Sequence, residues 1–224
     1  SIGGKTGVNL RAGKNLVGAF HQPKAVLVDP NVLATLDDRE FRAGLFESLK
    51  AGVIRDAALF DFMVKRAEKI LNRDPKALEK VIAASIQVKA RVVSSDERES
   101  GLRRILNFGH TIGHALEAAT NYSYLLHGEA IAWGMIAAAT IARTMKTCTA
   151  QTAERIIAAI HAYGPLPPVT SVPGEILPRL VADKKTVGGV VHFVLPQAIG
   201  KVKVVNNVPI EVVERAVEQL KNHA

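Results

Sequence analysis

Apolar residues recur three and four apart through most of this chain, the spacing that gathers them on one face of a helix. Asp37 or Asp38 can cap a first helix that runs through Glu47 and Lys50 and weakens at Gly52. A second helix is predicted over residues 56–71. Asp74 followed by Pro75 is a start signal, a capping carboxylate before a proline at the first helical position. The helix it opens carries Leu78, Val81, Ile82, Ser85, Ile86 and Lys89. A fourth is predicted over residues 102–119. Residues 128–146 are alanine-rich and apolar on most faces, which predicts a central buried helix. Another covers residues 152–163 and is stopped by Gly164-Pro165; Pro165, Pro167, Pro168 and Pro173 then make a stiff connection. A terminal helix begins near Pro209.

The period changes to two near the C-terminus. Gly188 and Gly189 precede residues 190–195, and residues 201–205 alternate charged and apolar side chains. Joined by Pro-Gln-Ala-Ile-Gly, the two runs predict a β-hairpin. The first thirty residues differ again. They hold Gly3, Gly4, Gly7, Gly13 and Gly18, then an extended segment over 24–29 closed by Asp-Pro, which reads as a loop and a single strand. A lone strand would leave its edges unpaired. The expectation is a mainly α fold with one small β-hairpin and one orphan N-terminal strand. Residues 1–36 would be the remnant of an upstream domain and 37–224 a helical domain, the chain itself being a piece of something longer.

Composition narrows this picture only a little. The 224 residues can hold one large or two small domains, and an apolar share of 48% supports a real core. A single cysteine, Cys148, rules out an internal disulfide and fits a reducing compartment, and no signal-peptide pattern opens the sequence, so a cytoplasmic location is expected. The longest apolar run, 130–142, ends at Arg143 and is too short to span a bilayer. A net charge of +8 raises nucleic acid as a partner. The basic residues are spread out and aromatics are few, so a small, multiply anionic substrate is the better match.

Chemistry concentrates in the predicted helix over 102–119. Arg103, Asn107, His110, His114 and Glu117 fall three and four apart and form one polar stripe. Two imidazoles, an amide and a guanidinium together suit a site that grips a metal and an anion. From spacing alone His110 and His114 are an i, i+4 ligand pair, with the third ligand open among Glu117, Glu129, His127 and Glu47. Glu47 and Lys50 sit three apart on an otherwise apolar helix, and Lys89 interrupts another apolar pattern. Gly3-Gly4-Lys5-Thr6 evokes a P-loop, but the motif's first glycine would fall before residue 1, and ATP binding is rejected. Backbone amides with Lys5 and Lys14 remain able to hold phosphate.

Taken together, GGKTGVN, GKN, GAFHQPKAVLVD, ESLKAG, DERESGLRRILNFGHTIGHALEAAT, LHGEA and DKK resemble the 3-dehydroquinate synthase family over essentially the whole chain. GLRRILNFGHTIGHALEA is the specific part; GGKT alone is weak. Ala51 departs from the larger residue usual there, and Phe46 and Ser48 are also unusual.

The resemblance implies a helical metal- and substrate-binding domain preceded by the last loop and strand of an NAD-binding domain, the bulk of which is not in this chain. It implies Glu47, His110 and His127 as ligands of a divalent zinc or cobalt ion, with His114 an acid–base residue on the substrate side rather than a ligand. Lys5, Asn15, Lys50, Lys89, Arg103, Asn107, His114 and one of Lys184 or Lys185 would line the substrate pocket. Lys50, Asn107 and His114 would take part in catalysis. Lys5, Lys14 and the turn of Val32, Leu33, Ala34 and Thr35 would meet the nicotinamide cofactor. The implied reaction turns 3-deoxy-D-arabino-heptulosonate 7-phosphate into 3-dehydroquinate and phosphate, with NAD reduced and reoxidised within one turnover. The implied assembly is a homodimer. The alternatives are another sugar-phosphate cyclase, such as a 2-deoxy-scyllo-inosose synthase, and a metal-binding fragment without turnover of its own.

Overall fold

The computed structural model describes residues 2–10, 13–97, 101–169, 173–186 and 191–223, except for the side chains of residues 9, 10, 13–16 and 181–186. Among them the fold is mainly helical. Helix α1 (Asp38–Arg55) starts at Asp37, whose carboxylate accepts the Arg39 N–H at 2.8 Å. It runs straight through Gly52 rather than ending there. The segment over 56–71 is two helices, α2 (Ala57–Lys65) and α3 (Ala67–Leu71), because the chain leaves helical geometry at Arg66. Helix α4 (Pro75–Ser95) begins as expected, with Asp74 accepting the Ala77 N–H at 2.8 Å.

The predicted helix over 102–119 is broken. Residues Leu102–Asn107 form a 3-10 turn, and α5 (His110–Ala119) starts anew after Gly109. Gly109 sits at φ 80, in the left-handed region that glycine enters without steric cost, and a Cβ there would meet the Ile131 carbonyl at 2.8 Å. The five-residue stripe therefore does not lie along one helix.

Helix α6 (His127–Thr144) is the centre of the molecule, with every residue from 128 to 142 buried. It is wrapped by α1, α5, α7 (Ala150–Ala162), α9 (Ile210–Gln219) and the C-terminal hairpin. Trp133, fully buried, donates its indole N–H to Pro167 O at 2.9 Å. Burial of each such large side chain contributes about 1.5–3 kcal/mol. Gly134 lets α6 approach α5 closely: a Cβ there would lie 1.8 Å from Gly109 O.

The hairpin pairs β3 (Phe193–Ala198) with β4 (Lys201–Val205), antiparallel, turning at Gly200. Gly188, Gly189 and Val190 lie outside the described residues. Helix α8 (Pro173–Thr186) was not anticipated; Pro173 opens it instead of stiffening a connection, and Pro178 within it hides the helical signal.

The N-terminal region overturns the orphan-strand expectation. β1 (Val8–Leu10) and β2 (Gly13–Val17) pair with each other, and the ribbon continues through a Lys5–Phe20 bridge and a His21 N–H to Gly4 O bond of 2.7 Å. The apolar segment 24–29 forms no strand; it runs exposed, with Leu27 96% accessible. Its valines and leucine are good strand formers, but a strand needs a partner edge, and among the described residues this segment pairs with none. No helix among the described residues is long and apolar enough to cross a membrane.

Candidate metal centre

Three helices bring five groups to one place. α1 supplies Glu47 and Lys50, α5 opens with His110 and carries His114 one turn later, and α6 opens with His127. The ring centroids of His110 and His114 are 5.1 Å apart, those of His110 and His127 5.5 Å, and those of His114 and His127 5.8 Å. One nitrogen of each of the three rings lies within 4.8 Å of the others. Glu47 Oε1 stands 3.9 Å from both His110 Nε2 and His127 Nε2.

The donor chemistry of this cluster fits a cation. His110 Nδ1 lies 3.2 Å from Phe108 O, and His127 Nδ1 lies 3.2 Å from Glu117 Oε2. Carbonyl and carboxylate oxygens accept, so both Nδ1 atoms carry the proton and both Nε2 atoms present lone pairs. Glu47 Oε1 is buried and has no hydrogen-bond partner. Three electron-pair donors thus face one point with no proton between them, an arrangement that a divalent metal satisfies.

Electrostatics keep these donors in the forms a metal needs. Burial, aided by the Lys50 ammonium, pushes His110 down to about 3, so its imidazole is neutral at ordinary pH. Burial raises Glu47, but Lys50, His110 and His127 outweigh it and leave the carboxyl below its usual range. Lys50 Nζ donates to Glu47 Oε2 at 2.6 Å, which leaves Oε1 turned to the histidines. Burial lowers Lys50 itself, with Glu47 opposing and Lys89 assisting.

Two of the carboxylates left open by spacing are engaged elsewhere. Glu129 Oε1 and Oε2 accept from the Arg39 guanidinium at 2.7 and 2.8 Å, and Oε2 also caps the Leu126 N–H at 2.8 Å. Glu129 therefore seats the start of α6 against α1. Glu117, buried at 4% exposure, stands behind His127. Its role was not legible from spacing, though it sits one turn past His114 on the same helix.

The remaining anticipated residues are distributed around this cluster. Lys89 is exposed on α4, its charge felt by Lys50. Asn107 ends the 3-10 turn before Gly109 and is exposed. Lys5 is exposed on the N-terminal ribbon. Arg103 is buried; its guanidinium donates to Glu97 O at 2.6 Å and Gly3 O at 2.9 Å, tying the N-terminal ribbon to the 3-10 turn. A guanidinium has further N–H groups beside these. Val32, Leu33, Ala34 and Thr35 form a 3-10 turn (Pro30–Thr35), which Arg73 clasps through Leu33 O and Leu36 O. Lys14 and Asn15 lie on β2 and Lys184 and Lys185 on the last turn of α8, but their side chains are outside the described residues, as are Glu99 and Ser100.

Comparison with known proteins identifies the family. Residues 44–186 match the family model described as 3-dehydroquinate synthase C-terminal, and residues 1–43 match the one described as 3-dehydroquinate synthase N-terminal. The chain is 58% identical over 221 residues to a 3-dehydroquinate synthase of Koribacter versatilis, covering 99% of this chain and 60% of that protein. It is 54% identical over 209 residues to one from Solibacter usitatus, covering 93% of this chain and 58% of that protein. The chain thus spans about three fifths of the length of these relatives. Among solved structures it superposes on the 2-epi-5-epi-valiolone synthase ValA of Streptomyces hygroscopicus subsp. jinggangensis, with NAD+ and Zn2+ bound, at a TM-score of 0.90 and 31% identity, over 100% of this chain and 62% of that one. It also superposes on a 2-deoxy-scyllo-inosose synthase complexed with carbaglucose-6-phosphate, NAD+ and Co2+, at a TM-score of 0.85 and 30% identity, over 99% of this chain and 62% of that one. A family model spanning most of the chain, and a fold shared with metal- and NAD-bound cyclases, make this chain a member of the 3-dehydroquinate synthase family.

Proposed function

We propose that the protein containing this chain is a 3-dehydroquinate synthase of aromatic amino acid biosynthesis, acting on 3-deoxy-D-arabino-heptulosonate 7-phosphate with release of phosphate. The observation that carries this reading is the convergence of Glu47 Oε1, His110 Nε2 and His127 Nε2 in a chain 58% identical to a protein of that name. The 2-epi-5-epi-valiolone and 2-deoxy-scyllo-inosose synthases are only about half as similar, at 31% and 30% identity.

Glu47, His110 and His127 would hold zinc or cobalt. Bound metal supplies Lewis acidity at substrate hydroxyls, and bound NAD a reversible hydride acceptor. His114, beside the ligands, is the group placed to move a proton at the reacting carbons. Lys50 and Asn107 would share in the catalysis. Lys5, Asn15, Lys89, Arg103 and one of Lys184 or Lys185 come from separate segments and can bind both anionic ends of a flexible sugar phosphate. Lys5, Lys14 and the turn of Val32, Leu33, Ala34 and Thr35 form one wall of the cofactor site.

Residues 1–36 belong, on this reading, to an upstream nucleotide-binding domain. The exposed Phe20, Val26, Leu27 and Val28 suit a surface which that domain covers. The enzyme is a cytoplasmic homodimer.

The test is a phosphate-release assay on the full-length protein with NAD and zinc or cobalt. Turnover of the heptulosonate phosphate is expected. Preference for glucose 6-phosphate, whose carba analogue sits in one structural neighbour, would make it a different sugar-phosphate cyclase.

A further inference from the structure

We propose that Glu117 is a positioning residue for the metal, acting through His127. It fixes the ring in the Nδ1–H form and so aims Nε2 at the ion. This rests on the reading of Glu47, His110 and His127 as ligands.

The two histidines are oriented by acceptors of different strength. His110 leans on a neutral carbonyl two residues upstream, Phe108 O. His127 is the first residue of α6, and its ring is half exposed, at 49%. Little packing restrains a ring so placed. The restraint comes from across the helix pair, from a carboxylate that is only 5% exposed, with Oε2 3.2 Å from Nδ1. A carboxylate on the far nitrogen fixes the tautomer and makes the metal-facing nitrogen a stronger donor than a carbonyl would.

The backbone of Glu117 is fixed by its helix. It lies on α5, on the same face as His110 and His114. Its own carbonyl accepts the Tyr122 N–H at 2.8 Å, closing the helix end. One helix therefore carries a ligand, the adjacent imidazole and the group that orients the ligand of the next helix.

The experiment is a zinc titration of the full-length protein against a competing chelator, for wild type, Glu117→Gln, Glu117→Ala and His127→Ala. Thermal melting is followed without metal, and ring-nitrogen NMR reads the His127 tautomer. Expected are zinc binding about ten-fold weaker in Glu117→Gln with an unchanged metal-free melting point, and a wild-type His127 protonated on Nδ1. In Glu117→Ala the proton should shift towards Nε2. Equal zinc affinity in Glu117→Gln and wild type, with affinity lost in His127→Ala, overturns the role of Glu117 alone. Affinity retained in His127→Ala overturns the ligand assignment with it. A weaker zinc site accompanied by an equally destabilised metal-free protein marks Glu117 as merely structural and also overturns the proposal. Should Glu117→Ala not fold, Glu117→Gln and the wild-type tautomer decide.

Discussion

Glu129 on α6 and Arg39 on α1 meet through two parallel hydrogen bonds of 2.7 and 2.8 Å, and the same carboxylate caps the Leu126 N–H at the start of α6. Eight residues along α1 from Arg39 stands Glu47, and two residues before Glu129 stands His127. The pair therefore sets the spacing between two of the three candidate ligands. Because the carboxylate is buried and the guanidinium half exposed, removing the charge strands a cap and a buried acceptor. Glu129→Gln should destabilise the protein by about 1.5–3 kcal/mol. It should also weaken zinc binding, although Glu129 touches no metal. Denaturant melts and a chelator titration check both; unchanged zinc affinity in a destabilised variant would show that His127 does not depend on this pair.

Metal stoichiometry tests the ligand set directly. His110→Ala and His127→Ala should each lose the bound divalent ion, while His114→Ala should keep it and lose turnover. Elemental analysis after dialysis, with the phosphate-release assay, separates these. Loss of metal in His114→Ala with retention in Glu47→Gln would assign the three-imidazole set instead.

Gly134 and Gly109 place the start of α5. A Cβ on Gly134 would sit 1.8 Å from a backbone carbonyl that has no room to retreat, so Gly134→Ala should cost about 1–3 kcal/mol. It should also push His110 off its position and weaken the metal site. Calorimetry with and without zinc reads both effects. A fully stable Gly134→Ala would mean that α6 shifts freely against α5.

Arg103 has two tasks. Its bonds to Gly3 O and Glu97 O anchor the ribbon that carries Lys5, and its remaining N–H groups are proposed to meet the substrate carboxylate. Arg103→Lys cannot span both carbonyls in the same planar way. Faster amide exchange at Gly4 and Lys5 and a rise in KM for the heptulosonate phosphate are expected, with NAD binding less affected. Equal losses for both ligands by calorimetry would contradict this division.

Tyr163 offers a control remote from the site. Its hydroxyl donates to Met63 O at 2.9 Å inside the core, where burial pushes the phenol up. Tyr163→Phe should lower stability by about 1–3 kcal/mol, the range for a buried carbonyl left unsatisfied, and leave zinc affinity intact. Denaturant midpoints and the chelator titration measure the two.

From the sequence alone came the helical class, the Asp37 and Asp74 starts and a buried central helix predicted over 128–146, because capping and apolar periodicity are local and repeat within one turn. It also carried the family likeness, since residues such as those of GLRRILNFGHTIGHALEA report chemistry without any coordinates. Tertiary structure alone decided where those residues go. The stripe from Arg103 to Glu117 looked continuous because a single glycine inside a helical pattern is a weak stop; the packing of Gly109 against α6 is what breaks it. The choice among Glu47, Glu117 and Glu129 could not be made from spacing. Glu117 and Glu129 lie near histidines in the sequence and Glu47 near none, but only folding shows Glu129 occupied by Arg39 and Glu117 by His127, with Glu47 Oε1 left bare among imidazoles. The N-terminal residues were misread for the same reason. Strand formation depends on a partner edge that no local pattern reveals, and here the glycine-rich stretch found one in itself while the apolar segment 24–29 did not.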